Sequence, residues 1–465
     1  MGWVLSCLRG SVRSSVFFWR RILQENLLAK NGGSVFEVGD MLDIRLIREQ
    51  PEEIKGRLSL RNPEFAASID RVLELDARRR QAETRLQQLQ SERKRLSKSI
   101  GMLRSKGEDS SLAEAEAKAF GEEMEKLSEE ATALDASQRD LLLRIPNAPH
   151  AGVPHGQTAE DNPVLRSWGE PKECVGKEGH ISIATRLGLL DFERAAKISG
   201  SGFACFTGAG ARLERSLINF LLDLHTLQHG YKEIAPPFLI RRESMVGTGQ
   251  LPKFEEDMYR LPEDDLFLAP TAEVPVTNLR ADEILSPEEL PVRYTAYTPC
   301  FRREAGATGR DNRGIIRMHQ FDKVELVKIC RPAEAAEELE SLTGDAEKVL
   351  QLLELPYRVI ELCAGDLGFS SQRTYDIEVW SPGQSGYLEV SSCSHFGDYQ
   401  ARRMGLRYKE ADGKNYFCHT LNGSGTALPR LFVALIENHL QADGSILLPP
   451  PLRPYFGQDS IQPIS

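Results

Sequence analysis

Four separated segments of this 465-residue chain hold side chains that could act together on a phosphorylated substrate. Phe301-Arg302-Arg303-Glu304 ends one apolar run, and Arg317-Met318-His319-Gln320-Phe321-Asp322-Lys323-Val324-Glu325 begins the next. Between them, 305–314 carries three glycines with Arg310, Asp311 and Arg313. A strand–loop–strand unit with arginines at each end offers cations for a polyphosphate and an aromatic ring for a base. Arginine suits the task because its planar fork meets phosphate oxygens two at a time. Glu389-Val390-Ser391-Ser392 adds a carboxylate and hydroxyls, oxygen donors usable by a divalent cation. Asn422-Gly423-Ser424-Gly425 reads as leading into a helix with Arg430 in its first turns, a second phosphate-suited arrangement. A lone arginine on a strand is ordinarily a surface ion pair, but that reading does not cover all these segments in one chain. No G-x-x-x-x-G-K-[ST] is present and no G-x-G-x-x-G follows a strand, so neither a P-loop nor a Rossmann nucleotide site is supported.

The elements that must position these residues lie in 170–465. Helical patterns run over 213–228, 333–355 and 428–441, and short apolar runs over 292–297, 320–328, 357–362, 374–380 and 387–392. Strands in succession with few helices between them favour an α+β body, a mostly antiparallel sheet flanked by helices. Upstream, positions 72, 75, 79, 82, 86, 89, 93, 96, 100 and 103 recur at spacings of 3 and 4, and 113–145 repeats the pattern. Each keeps one seam facing a partner, and the polar turn 105–111 between them is short. The pair is therefore a long antiparallel coiled-coil hairpin over about 69–145, with Ser110 or Ser111 placed to cap its second helix.

Charge separates along the hairpin. Residues 71–106 hold eleven Lys/Arg against four acids, and 108–144 hold four Lys/Arg against eleven acids. Salt bridging between the helices explains part of this. A whole basic helix on a chain of net charge −10 also fits neutralisation of RNA phosphates without base reading. Arg79 and Arg93 occupy seam positions, as interface residues or as snorkelling side chains. Prolines end the second helix near 146, and the Pro/Gly-rich 151–169 reads as a linker.

Composition narrows the class. The chain is 41% hydrophobic and 27% charged, which excludes a disordered or fibrous protein. No apolar run approaches a membrane span, and no membrane partner is expected. The eight cysteines show no C-x-x-C pair and read as reduced thiols of an intracellular protein. Residues 1–40 stand apart: no acid precedes Glu25, while arginines alternate with bulky apolar residues. They read as a mis-assigned start ahead of Met41 or as a targeting segment. The first implies a cytoplasmic protein, the second an organelle matrix.

The chain from 41 to 455 resembles the seryl-tRNA synthetases of bacterial type. Phe301 to Gly306, Arg310-Asp311 and Gly314 to Glu325 look like motif 2 of class II synthetases in its serine form. Asn422 to Arg430 resembles motif 3, His229-Gly230-Tyr231 to Pro236-Pro237 resembles motif 1, and Thr271-Ala272-Glu273 is similar to the serine-binding T-x-E. Gly202 and Pro429 depart from common family residues without removing a ligand. The resemblance implies a 41–150 tRNA-binding domain and a 170–465 catalytic domain. It implies ATP-dependent activation of L-serine and transfer to the 3′ end of serine tRNA, with selenocysteine tRNA left open. Serine is then expected at Thr271, Ala272, Glu273, Arg302, Glu325 and Ser424. ATP is expected at Arg302, Arg303, Glu304, Met318, Phe321, Glu389, Val390, Ser391, Ser392 and Arg430, with Mg²⁺ at Glu389 and Ser392 and no Zn²⁺. Arg302, Glu304 and Arg430 would carry the chemistry, in a homodimer. A catalytically inactive, RNA-binding relative, or a class II ligase for another small amino acid, are the rival readings; the intact motifs and the hairpin disfavour both.

Overall fold

The N-terminal helices owe their ends to local chemistry. After α1 (Ile44–Glu49) and α2 (Pro51–Ser59), the helix α3 (Pro63–Lys106) starts where the Asn62 side chain accepts from the Glu64 N–H and Pro63 takes the first position. It stops at Gly107, whose φ of 72° is the left-handed cap that a side chain disfavours. The second long helix, α4 (Ser111–Arg144), has Ser110 as its cap residue, yet the serine side chain accepts no capping bond. Asp109 Oδ1 accepts from the Ser111 N–H at 2.9 Å instead. Forty-four residues at about 1.5 Å each make α3 roughly 65 Å long. The structure, a computed structural model, describes residues 42–304 and 314–463. The expectations for 1–40 and Met41, and for Arg310, Asp311 and Arg313, lie outside those residues.

The hairpin seam is where the 3-and-4 spacing puts it. Val72, Leu75, Ala82, Leu89 and Leu134 are buried, and at the body end Leu142 is buried in place of the in-register Leu141. Arg79 at the seam is consumed by carboxylates, with Asp76 at 3.1 Å, Glu83 at 2.8 Å and Asp135 at 3.9 Å. Arg78–Glu130, Arg85–Glu123 and Arg104–Glu114 also tie the two helices together. Seam position Arg93, by contrast, is exposed. It stands with Lys94, Arg95 and Lys98 as a cationic surface that no carboxylate of the described residues neutralises.

The body is an eight-stranded sheet. Its strands, in chain order, are β1 (Val164–Trp168), β2 (Lys232–Glu233), β3 (Val292–Phe301), β4 (Gln320–Cys330), β5 (Tyr357–Glu361), β6 (Arg373–Ser381), β7 (Gly386–His395) and β8 (His419–Ala427). They lie in the order β1-β5-β6-β7-β8-β4-β3-β2, antiparallel except for the β2–β3 pair. Helices α5 (Ala209–Leu227), α6 (Glu273–Thr277), α7 (Ala335–Leu352), α8 (Tyr399–Met404) and α9 (Leu428–Asn438) complete the part that concerns the site. α5, α7 and α9 cover one face, packing Leu217, Leu342 and Leu435 on Val324, Leu326 and Ile377. The opposite face carries the cavity described below.

One sequence reading changes. The segment taken for a linker supplies β1, whose residues pair with β5 at the sheet edge. Asn422–Gly425 does lead into a helix carrying Arg430, and it does so from inside β8, between β7 and β4. Its glycines give clearance. A Cβ on Gly423 would stand 2.4 Å from Leu342 Cδ2, and one on Gly425 would stand 2.8 Å from His225 Nε2.

Candidate active site

On the open face, strand alternation does most of the assembly. Phe321, Lys323 and Glu325 are two apart on β4 and line one cavity of about 640 Å³. On β8, Asn422 and Ser424 line it as well. On β7, strict alternation would not place Glu389 with Ser392, which is three residues on. A bulge does, because the partner register shifts between Ile377–Ser391 and Glu378–Glu389 and leaves Val390 extra. Glu389, Ser392 and Ser394 therefore share the cavity wall.

The innermost part is a carboxylate pair. Glu325 is 1% exposed and accepts hydrogen bonds from Thr271 Oγ1 and Asn422 Nδ2, both at 3.1 Å, while Lys323 Nζ pairs with it. Glu273, the first residue of α6, accepts from Gln400 Nε2 at 2.7 Å, and Gln400 in turn accepts from Thr420 Oγ1. Burial, with the Glu325 charge close by, pushes the Glu273 carboxyl up to about 7. Two carboxylates so arranged form a receptor for one compact cation with hydrogen-bonding neighbours.

The outer part is cationic and aromatic. Arg302 donates from Nε to the Pro270 carbonyl at 3.3 Å and places its guanidinium 5.3 Å from the centre of the Phe321 ring. Glu304 has a φ of 50°, a strained value for a residue with a side chain, and pairs with Arg317 at 2.9 Å. Arg430, in the first turn of α9, donates to the Glu389 carbonyl at 2.7 Å and to the Ile316 carbonyl at 3.3 Å. It also meets the Glu389 carboxylate at 3.3 Å. Two segments far apart in sequence thus converge on this side chain.

Of the expected residues, the cavity wall includes Thr271, Glu273, Arg302, Glu304, Met318, Phe321, Glu325, Glu389, Ser392, Ser424 and Arg430. Four are placed elsewhere. Ala272 is fully buried in an apolar cluster with Val276 and Tyr294. Val390 faces the helix-covered core, and Ser391 spends its hydroxyl on the Ser424 carbonyl at 2.6 Å. Arg303 follows Arg302 in extended chain and so projects to the other side, lining a separate cavity of about 560 Å³ with Tyr259 and His319. Sequence reasoning also passed over contributors. Asn422 and Lys323 stood within quoted motifs, and Lys323-x-Glu325 on one strand was a readable signal of a shared face. Gln400, 127 residues from Glu273, gave none. Asp376, opposite Ser392 on β6, is not among the lining residues; burial and the Glu389 charge push its carboxyl well above its ordinary value.

A divalent cation would find hard oxygen donors in Glu389 and Ser392. Among the described residues, however, no group of three His, Cys, Asp or Glu side chains is placed to hold a metal. These two fit a magnesium ion only as it is held jointly with substrate phosphates. No helix of the described residues is long and apolar enough to cross a membrane.

Known proteins match most of the chain. The family described as "Seryl-tRNA synthetase N-terminal domain" matches residues 41–149, and "tRNA synthetase class II core domain (G, H, P, S and T)" matches 253–439. The serine–tRNA ligase of Akkermansia muciniphila is 58% identical over 423 residues, 91% of this chain and 99% of that protein. The crystal structure of the Pyrococcus horikoshii seryl-tRNA synthetase complexed with ATP superposes with a TM-score of 0.87 at 37% identity, covering 91% of this chain and all of that one. The cytoplasmic serine–tRNA ligase of Naegleria fowleri, solved with AMP, gives 0.82 at 28% identity over 91% of this chain and 99% of its own.

Proposed function

The chain belongs to the seryl-tRNA synthetases, and from that premise we propose that this cavity activates L-serine with ATP and delivers the seryl group to the 3′ end of serine tRNA. The observation that carries the proposal is the Glu273–Glu325 pair, with Thr271, Asn422 and Ser424 beside it, in the same cavity as Arg302, Phe321 and Arg430.

Serine fits the inner part. Its ammonium meets Glu273 and Glu325, its hydroxyl meets Thr271 and Ser424, and its carboxylate turns outward to Arg302. An analogue without the hydroxyl leaves buried polar groups unpaired, which is how a small site rejects alanine. ATP occupies the outer part, its base against Phe321 and Met318 and its phosphates between Arg302 and Arg430, with Glu304 at the base edge. A serine carboxylate oxygen attacks the α-phosphorus, the bond to the bridging oxygen breaks, and pyrophosphate leaves. A ribose hydroxyl at the tRNA terminus then attacks the acyl carbon and AMP departs. No protein nucleophile is needed: the chain aligns the reactants and sets cations where charge develops. Magnesium, when bound with ATP at Glu389 and Ser392, neutralises phosphate charge.

The hairpin supplies the tRNA grip through Arg93, Lys94, Arg95 and Lys98 on α3, within a tRNA-binding domain of residues 41–150 ahead of a catalytic domain of 170–465. Selenocysteine tRNA would satisfy the same phosphate contacts. The family resemblance supports a homodimer, and the reading of residues 1–40 as a mis-assigned start supports a cytoplasmic location, as a targeting segment there would support an organelle matrix. Serine-dependent exchange of pyrophosphate into ATP by the full chain tests the reading. Exchange with serine and not with alanine supports it; absence of exchange with any amino acid favours an inactive RNA-binding relative.

A further inference from the structure

Both roots of the hairpin close on one short segment of the body. Arg61, between α2 and α3, donates from Nη1 to the carbonyls of Leu367 at 2.8 Å and Gly368 at 3.1 Å, and from Nη2 to that of Ser371. Asn147, just beyond α4, donates its backbone N–H to the Phe369 carbonyl at 2.9 Å and its Nδ2 to the Ser370 carbonyl at 3.0 Å. The His150 N–H donates to the Gln372 carbonyl at 2.9 Å. Six consecutive carbonyls, 367 to 372, thus accept from the two roots.

This segment is a wall of the reaction cavity. Ser370 and Ser371 line the cavity, as does Phe396, whose carbonyl accepts a further bond from Asn147 Nδ2 at 2.7 Å. Ser371 Oγ reaches Ser394 Oγ at 3.3 Å, and Ser394 lines the cavity too. Docking alone would not ask for Arg61. It is 8% exposed, and among the described residues it has no carboxylate partner, only carbonyls. Burying an unpaired guanidinium is costly, and carbonyls offset that cost only in a fixed geometry.

We infer that Arg61 and Asn147 are positioning residues for the activation reaction. They hold the 370–371 wall from the hairpin side, so that load on the arm is felt as a change in the substrate cavity. The inference deepens the ligase reading and rests on it. By linkage, if tRNA on the arm alters serine affinity, serine alters tRNA affinity by the same factor.

The test uses the full chain and the variants Arg61→Lys, which keeps the charge but not the fork, and Asn147→Ala. Each is first shown to melt cooperatively. Pyrophosphate exchange is measured over a range of serine concentrations, with and without tRNA whose terminal ribose has been oxidised by periodate, and tRNA affinity is measured by filter binding. The expected result is a serine KM raised roughly tenfold in each variant, unchanged tRNA affinity, and loss of whatever shift oxidised tRNA causes in the parent. A serine KM and kcat within about twofold of the parent in both variants would overturn the inference. If the parent itself shows no serine-dependent exchange, the ligase reading fails, and amide hydrogen exchange over 370–372 decides the clamp separately. Faster exchange in the variants supports the clamp, and parental rates refute it.

Discussion

Replacing Glu325 by glutamine removes one charge from the innermost part of the cavity while keeping its shape. The carboxylate is almost fully buried and is held by Thr271, Asn422 and Lys323. A hydrogen bond between a carboxylate and the serine ammonium contributes about 1.5–3 kcal/mol more than leaving it unmade, equivalent to roughly 10- to 150-fold in kcat/KM for serine. Stability responds as well, because Lys323 is only 8% exposed by its side chain and loses its counter-charge. Breaking a buried pair costs about 3–5 kcal/mol, but this one borders a water-accessible cavity, so about 2 kcal/mol is the fitting figure. For a catalytic domain of about 300 residues, that corresponds to a Tm lower by roughly 3 °C. The assay is pyrophosphate exchange against serine concentration, beside a thermal melt of the same preparation. A kcat/KM within about threefold of the parent would mean that Glu325 does not meet the substrate cation, and the inner-site reasoning would fail.

Three further outcomes are expected. The Glu273 carboxyl, raised to about 7 from an ordinary 4.5, keeps a proton in the folded chain between those values that the unfolded chain has lost. Its contribution to stability therefore declines as pH rises through that window, while serine affinity, which needs the ionised form, improves as pH rises through about 7; Glu273→Gln should flatten the affinity profile. Reversing Arg93, Lys94, Arg95 and Lys98 to glutamate should leave exchange intact and weaken tRNA binding. The slope of log K against log salt should fall by about 0.7–0.9 for each phosphate no longer neutralised, and an unchanged slope would clear these residues of the role. Gly423→Ala forces a Cβ against Leu342 and Cys393 and should lower stability by about 1–3 kcal/mol, read as a lower Tm.

Which features were legible follows from how they are encoded. The hairpin has a 3.5-residue period that local sequence carries whole, so α3 and α4 could be read along with their charges. Strand faces on β4 were legible for the same reason, since Phe321, Lys323 and Glu325 keep a period of two. The bulge at Val390 was not, because an extra residue is visible only against its partner strand. That the glycines of Asn422–Gly425 serve close approach was not legible, because Leu342 and His225, which impose it, lie about 80 and 200 positions upstream. Arg303 was assigned with Arg302 by adjacency, although neighbours in extended chain point to opposite sides. The clamp by Arg61 and Asn147 depends on hydrogen bonds between residues more than 200 positions apart and has no local trace.

The most direct measurement is a calorimetric titration of the whole chain with a non-hydrolysable sulfamoyl analogue of seryl-adenylate, run beside its alanyl counterpart. One saturable site per chain, far tighter for the seryl compound and weakened by Glu325→Gln, is the outcome the cavity demands. Equal binding of the two compounds, or binding that Glu325→Gln leaves untouched, would contradict it.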